Sequence, residues 1–459
     1  MSGRKIHYTI RQTPSSVNYG SRVANYGLEG RMGNMSTRKK SSLRREIKRT
    51  FALGVFNGAA FNFAEALVSP PLVLTLFVSK LTSSNLLTGL VSPLGDACWF
   101  LPQIFVSARI QRMERKMPSY TLSAVIRTFA WIALATAVWF IQDPLLLLVG
   151  FFILYTTARL SAGLAGLAFF DVVAKTIPAR QRGSFFSWRQ LVGGTLGLGA
   201  GWIVKLVLSN PALPFPRNHA FLFFLYCAAM APGLVSFAMV REPPGATVAE
   251  SVTVREQLRR AGRILRENKV YRRYLSARMS LALAGIALPF YAIYAKNVLG
   301  APAGMVGIYL ATRIGAQLLF NLLWGRLSDR RGNQLVMRVL NLGTGTTVLL
   351  ALTLVGMVAL LQPQGARLPY LVLPLFFLDG AVRPGQVLSG SNFLLELVPE
   401  AERPLYLGTS NTIMGIVVLI SGLGGLVVDL LGFAGLFTVS LALCIAGYLL
   451  ATGLPEPRE

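Results

Sequence analysis

Six charged residues stand inside long apolar stretches, where a charge is costly and is usually kept for pairing or for function. They are Glu65, Asp96, Arg159, Arg313, Asp379 and Arg383. Arg159 shows the problem clearly: the run "LYTTARLSAGLAG" gives it no acidic neighbour along its own segment before Asp171. Three carboxylates and three guanidinium groups can pair between helices, bind a charged solute, or pass a proton. Only the carboxylates can take up and release that proton, since burial and a nearby arginine pull a carboxyl group in opposite directions. Arginine keeps its charge, so Arg159, Arg313 and Arg383 are expected to be partners or anion binders. Asp379 and Arg383 lie one helical turn apart and could simply neutralise each other. Asn57 and Asn62 share a segment with Glu65. Asn62, one helical turn before the glutamate, could line the same space, and hydrogen bonding between helices is the other use of both amides.

These residues need elements to position them, and the composition says which. The chain has 459 residues, 53% hydrophobic and 14% charged, with a mean hydropathy of +0.54. Soluble domains carry about 25% charged residues. Apolar segments fall at 51–78, 86–108, 119–141, 144–174, 184–208, 219–240, 276–299, 303–326, 335–361, 369–397, 406–430 and 432–454. Each is long enough for the roughly 20 residues that cross a bilayer as a helix. The expectation is an all-α polytopic membrane protein of twelve spans. With a helical rise of about 1.5 Å per residue, all six charges then lie near mid-bilayer depth. Arg127, Asp171 and Arg189 are expected nearer inner helix ends, where such residues snorkel or latch. Pro70 and Pro71 are expected to kink the first span.

The net charge of +26 would suggest nucleic acid in a soluble protein, but its placement argues otherwise. Residues 1–50 hold twelve Lys or Arg against Glu29 and Glu46, and further basic residues cluster in every second loop. That is the positive-inside pattern, so the excess reports orientation and no nucleic-acid partner is expected. Twelve spans with a basic tail place both termini in the cytoplasm, and the expected location is a bacterial inner membrane. The tail has no apolar signal core. It reads as a largely disordered segment, with attraction to anionic lipid through Arg38, Lys39, Lys40, Arg44, Arg45, Lys48 and Arg49 as an alternative use.

Between the sixth and seventh spans, Val254, Leu258 and Leu265 recur near helical spacing among arginines, which suggests an amphipathic helix along the membrane surface. The expected organisation is therefore a tail (1–50), a six-helix bundle (51–240), a linker (241–275) and a second six-helix bundle (276–455). The halves look like copies. Pro178 and Arg182 recur as Pro399 and Arg403 at an offset of 221, and Arg109 recurs as Arg326 at an offset of 217. Under the second offset Asp96 and Arg313 are equivalent positions of opposite charge. Parallel six-helix repeats facing one another are a transporter plan, with the solute held between them.

The loop "GRLSDRRGNQ" at 325–334 resembles the signature loop of the major facilitator superfamily, G-x-L-[SA]-D-R-x-G-R-[KR]. Gly325, Leu327, Ser328, Asp329, Arg330 and Gly332 match, while Asn333 and Gln334 replace the last basic pair. The first-half copy, around Arg109, has Arg112 where the aspartate belongs. "ARLSAGLAG" resembles the fourth-span element of proton-coupled drug-antiporter branches through Arg159 and Gly163. The Gly-Pro step of their fifth span is missing from "VGGTLGLGAG", whose glycines permit close helix packing. The resemblance covers roughly residues 50–455. It implies two pseudo-symmetric bundles, with the six charges gathered around one chamber. It also implies a cytoplasmic gate involving Arg109, Gly325, Asp329, Arg330 and Gly332. The function implied is a monomeric secondary transporter moving a small organic solute, amphipathic or charged, by alternating access coupled to protons. A transporter-like fold serving as a sensor, assembly factor or lipid-handling protein is the second reading.

Enzymatic chemistry finds little footing. His7 and His219 stand apart, no HExxH occurs, and no Gly-Lys pair can begin a phosphate-binding loop. Cys98, Cys227 and Cys444 are far apart in apolar runs and suit core packing. No catalytic residue, metal site or cofactor is expected.

Overall fold

The structure is a computed structural model and describes residues 37–111, 113–245, 254–398 and 402–456. Its elements are helical. The first half comprises α1 (Thr37–Leu67), α2 (Thr75–Leu81), α3 (Asn85–Gln111), α4 (Met117–Phe140), α5 (Pro144–Thr176), α6 (Ala179–Leu208) and α7 (Arg217–Ala238). Then come the linker helix α8 (Val254–Glu267), α9 (Lys269–Ala284), α10 (Leu288–Asn297), α11 (Met305–Leu361), α12 (Leu373–Leu397), α13 (Arg403–Ser421) and α14 (Gly424–Thr452).

Nine of the described helices are long and apolar enough to cross a membrane. The longest, α11, runs 57 residues through a break at Gly332 and so carries both the eighth and the ninth expected segments. At Gly332 φ is +79°, a left-handed conformation that only glycine adopts without strain. A second break, at Gly432 (φ +68°), divides α14 and gives its first turns to the eleventh segment. The second segment falls on α3, 27 residues long, and the eleventh begins on α13. The lipid-facing surface follows from the same composition: Leu122, Phe129, Phe140, Ile153, Leu322, Leu360 and Leu430 are exposed.

Two spans are interrupted for identifiable reasons. Pro70 and Pro71 lack the amide hydrogens that a helix needs, and a π-helical turn, Pro70–Leu74, separates α1 from α2. Thr75 Oγ1 donates to the Pro70 carbonyl at 2.8 Å, beside the bond the same carbonyl takes from the Thr75 backbone amide. In the seventh span a 3-10 turn, Gly285–Ala287, separates α9 from α10, with Pro289 in the first turn of α10. Ser440 Oγ donates to the Ala284 carbonyl there at 2.6 Å.

Packing is densest within each half. α1 lies against α6 and α7, α4 against α5 and α7, and α3 against α5; in the second half α11 packs on α12 and α14, and α9 on α13 and α14. The halves meet along two seams, α3 with α13 and α6 with α11. The second seam uses the glycine-rich stretch: a Cβ on Gly201 would stand 2.9 Å from Ala311 Cβ and from the Gly307 carbonyl, so no larger residue fits. The linker helix α8 rests on the second half through Ile264 and Leu265, which pack against a cluster including Tyr271, Tyr274 and Tyr406. On its exposed face Arg260 bonds Glu256 at 3.0 Å and holds that carboxyl below its usual range. The three cysteines are buried and free.

The repeat reappears as bonds. Arg182 donates from Nε to the Ile177 carbonyl at 3.1 Å, and Arg403 donates from Nε to the Val398 carbonyl at 3.2 Å. The arginines and the carbonyls share the offset of 221 that relates Pro178 to Pro399. The same local turn, ending α5 in one half and α12 in the other, stands in both copies.

Candidate functional site

A cavity of about 290 Å³ lies between the halves. Its wall takes Glu65 and Asn62 from α1, Asp96 from α3, Arg159 from α5, Arg313 from α11 and Arg383 from α12. Residues 69–71 and Leu288, at the two span interruptions, also face it. The sixth expected charge, Asp379, does not line the cavity but stands directly behind Arg313.

Within the first half the charges form a compact cluster. Arg159 Nη1 donates to Glu65 Oε2 at 2.9 Å, and its Nε donates to the Gly95 carbonyl at 3.3 Å. Arg127 Nη2 donates to the other glutamate oxygen, Oε1, at 2.6 Å. Arg127 Nε donates to the Tyr226 hydroxyl at 2.9 Å, which itself lies 3.5 Å from Glu65 Oε1. The Trp131 and Tyr226 rings pack with centroids 4.3 Å apart, closing this pocket from the lipid side. One carboxylate thus takes two guanidinium partners, which keeps every ion in the cluster hydrogen-bonded. Asp96 remains on the wall with no ion pair among the described residues, close enough to be felt electrostatically by Arg159.

In the second half Arg313 Nε donates to Asp379 Oδ2 at 2.5 Å. That is not the pairing expected from spacing. Asp379 and Arg383 share a helix face, but Arg313 on the neighbouring helix takes the carboxylate. Arg383 stays exposed toward the cavity without a hydrogen bond or ion pair among the described residues.

Other expected residues are placed differently. Arg127 does not snorkel; it is 4% exposed and belongs to the Glu65 cluster. Asn57 does not line the cavity. It is 3% exposed and ties α1 to its neighbours, donating to the Gly233 carbonyl at 2.8 Å and the Tyr120 hydroxyl at 3.2 Å while accepting from Arg189 Nη1 at 3.0 Å. Arg189 therefore holds helices together rather than latching the surface, and stacks over Phe169 at 4.5 Å. Asn62 does face the cavity and donates to the Gln190 side chain at 3.1 Å. Sequence reasoning missed Gln190, Gln317 and Asn321, polar wall residues that carry no charge to betray them.

At the end of the molecule carrying the basic loops, Asp171 accepts from Lys116 at 2.7 Å and from Lys175 at 2.8 Å. Lys175 also reaches Glu242 at 2.8 Å, and Glu242 caps the start of α4 by accepting from the Lys116 and Met117 amides. Arg109 lies on α3, its side chain outside the described residues, and Pro399 also lies outside them. Gly325 is half-buried, and Asp329 and Arg330 are exposed on α11 just before the break at Gly332. At the two replaced positions of the signature loop, the Asn333 side chain and the Gln334 backbone amide have carboxylate partners, and the Gln334 side chain donates to the Leu454 carbonyl. Asn333 donates to Glu396 at 3.0 Å and accepts from Ser328 at 2.8 Å; the Gln334 amide donates to Glu456 at 3.1 Å.

Contacts between the halves gather at the opposite, short-loop end. Lys296 Nζ donates to the Ser79 carbonyl at 3.1 Å and hydroxyl at 3.0 Å, and Asn85 donates to Asp429 at 2.7 Å. The Gly201 seam lies toward the same end of α6.

Two facing sets of helices around a polar cavity, with an apolar outer surface, define an integral multi-pass membrane protein built like a carrier. Known proteins share the sequence pattern of part of this chain and the fold of the rest. The model of the Major Facilitator Superfamily matches residues 273–459. A D-xylose–proton symporter superposes with a TM-score of 0.68 at 15% identity, covering 90% of this chain and 99% of that one. A transporter of the POT family in complex with 5-aminolevulinic acid gives 0.67 at 12% identity, with 89% and 95% covered. The nucleoside transporter NupG gives 0.64 at 16% identity, with 89% and 98% covered. No curated protein matches. The sequence match covers the second half, and the fold across both halves is the one these transporters share.

Proposed function

We propose that this protein is a secondary transporter that moves a small organic solute, amphipathic or charged, across the membrane by alternating access, coupled to protons. The observation that carries the reading is the cavity between the halves, where charged side chains from both converge. A cavity closed at one end by bonds between the halves is what one state of an alternating-access cycle requires. Glu65, Asp96 and Asp379 supply the groups able to take a proton, and Arg159, Arg313 and Arg383 supply anion-binding or pairing charge. The signature loop around Asp329, Arg330 and Gly332 and the Lys116–Asp171–Lys175–Glu242 network would hold the basic-loop end in the other state. With no ATP-binding loop in the sequence, the driving force is an ion gradient. On the positive-inside pattern, the basic-loop end faces the cytoplasm.

The test is flux into proteoliposomes over a broad solute panel, with and without an imposed pH gradient. Flux that the gradient drives supports the reading; no flux for any solute under either condition ends it. A companion experiment places cysteines at Asn85 and Asp429, with the native cysteines replaced. A bifunctional thiol reagent should stop flux while leaving the cavity accessible to small reagents from the basic-loop side, and a reducible linker should allow recovery.

A further inference from the structure

We infer that the cavity takes an organic solute with one net negative charge, docked on the guanidinium of Arg383; this rests on the transporter reading above. The argument is one of charge balance. Four guanidinium groups, those of Arg127, Arg159, Arg313 and Arg383, face three carboxylates, those of Glu65, Asp96 and Asp379. Glu65 answers one of its two arginine partners, and Asp96 on the adjacent wall offsets the other. Asp379 is taken by Arg313 at 2.5 Å. Arg383 is left over, exposed toward the cavity and unbonded among the described residues.

Among the described residues, neighbouring elements bring no further carboxylate to the wall. Arg189 on α6 bonds the Asn57 amide oxygen, and Arg278 on α9 bonds the Tyr274 and Ser410 hydroxyls, each at 3.1 Å. Both add positive charge to the interior. A cationic solute would need a carboxylate in excess, and there is none among the described residues of the wall. A guanidinium presents a planar fork of donors that matches a carboxylate, sulfonate or phosphonate. The rest of the wall describes the remainder of the solute: Gln190, Gln317 and Asn321 offer amide hydrogen bonds, while Ile314 and Leu318 offer apolar contact. That mixture suits an organic body rather than a bare inorganic anion, and the volume of about 290 Å³ keeps it small.

The experiment uses two matched sets that differ only in charge: gluconate, glucosamine and glucose, and benzoate, benzylamine and benzyl alcohol. Binding to the purified full chain is read by thermal shift and calorimetry. The anion should bind at least about tenfold more tightly than its cationic and neutral counterparts in one set or both. Arg383→Gln should remove that preference and Arg383→Lys should restore part of it, because Lys keeps the charge and loses the fork. Equal or tighter binding of the cation or neutral member in both sets overturns the inference, as does failure of both anions or an unchanged preference in Arg383→Gln. The comparison within each set is made on the unsubstituted protein, so it stands even if a variant folds poorly. Anion binding without flux in proteoliposomes would end the transporter reading and leave the anion site. Flux of neutral or cationic solutes without anion binding would do the reverse.

Discussion

Arg278 occupies in the second half the position that Asn57 occupies in the first, under the same offset that carries Arg182 onto Arg403. Ser410, whose hydroxyl Arg278 bonds, is likewise the counterpart of Arg189, the partner of Asn57. Each half thus ties its first helix to its fifth with one arginine bond, at 3.0 Å in one and 3.1 Å in the other. The arginine has changed helices between the copies while the bond has stayed in place. What the copies share is the cross-link rather than the residue, which is why matching letters alone does not find it.

Arg127 should be the most stabilising member of the first-half cluster, because it is almost fully buried. Arg127→Ala leaves the Tyr226 hydroxyl and one oxygen of Glu65 unanswered. A loss of about 3–5 kcal/mol is expected, the range for breaking one partner of a buried pair. Arg127→Met combined with Glu65→Gln should recover part of it, since no uncompensated anion then remains. Chemical denaturation of the detergent-purified protein measures both, and an unchanged midpoint in Arg127→Ala would contradict the cluster.

Arg313 and Asp379 should tolerate exchange better than loss. Arg313→Met or Asp379→Asn strands one buried charge and should lower the melting temperature. The exchange Arg313→Asp with Asp379→Arg keeps the pair and should regain much of the drop. A double-mutant cycle on thermal stability reads the coupling directly, and a coupling near zero would mean that the 2.5 Å contact contributes nothing.

For an anionic solute the pH dependence has a definite sign. A proton taken up by Asp96 removes a negative charge from a cavity that already carries Arg159, Arg127, Arg313 and Arg383 against Glu65 and Asp379. Anion binding should therefore tighten as pH falls, and by linkage the anion should promote proton uptake. Asp96→Asn should bind the anion with a flatter pH profile. Titration calorimetry in buffers of different ionisation enthalpy counts the protons, and a proton released on anion binding would reverse the expected sign.

Gly332→Ala should be costly and Gly325→Ala nearly neutral, although both belong to the signature loop. Gly332 has a φ of +79°, which strains any other residue, whereas Gly325 is helical and nothing lies within 4 Å of a Cβ there. Left-handed strain alone is worth roughly 1–3 kcal/mol. Equal melting temperatures for the two variants would remove Gly332 as the point that separates the eighth and ninth spans.

Much of this architecture is legible in the chain because a bilayer forces long apolar runs and a regular rise, so depth can be counted residue by residue. That count puts all six charges at one level; five of them line the cavity, and Asp379 stands behind Arg313. Rotation about a helix and choice of partner are not encoded so locally. Asn57 and Asn62 lie on one helix, yet one faces other helices and the other the cavity. Asp379 and Arg383 have the spacing of a self-neutralising pair, but Arg313 from the next helix intervenes. Arg127 sits three turns into α4 and looks peripheral until Glu65, far earlier in the chain, is brought against it. The joined helices through Gly332 and Gly432 also hide two span boundaries that the hydropathy pattern separates.

The Gly201 seam and the polar contacts between the halves differ in what motion would break. Around Gly201 the contact is backbone against small side chains, so the helices can roll over one another without giving up a hydrogen bond. At the short-loop end the bonds to sever are those from Lys296 to Ser79 and from Asn85 to Asp429, each worth on the order of 1 kcal/mol net in ordinary settings. The activation barrier to opening that face is thus concentrated in a few polar contacts, while the glycine seam serves as a low-friction bearing. Turnover speed, on this view, is set by the clasp and can be adjusted there without touching the chamber in which the solute rides.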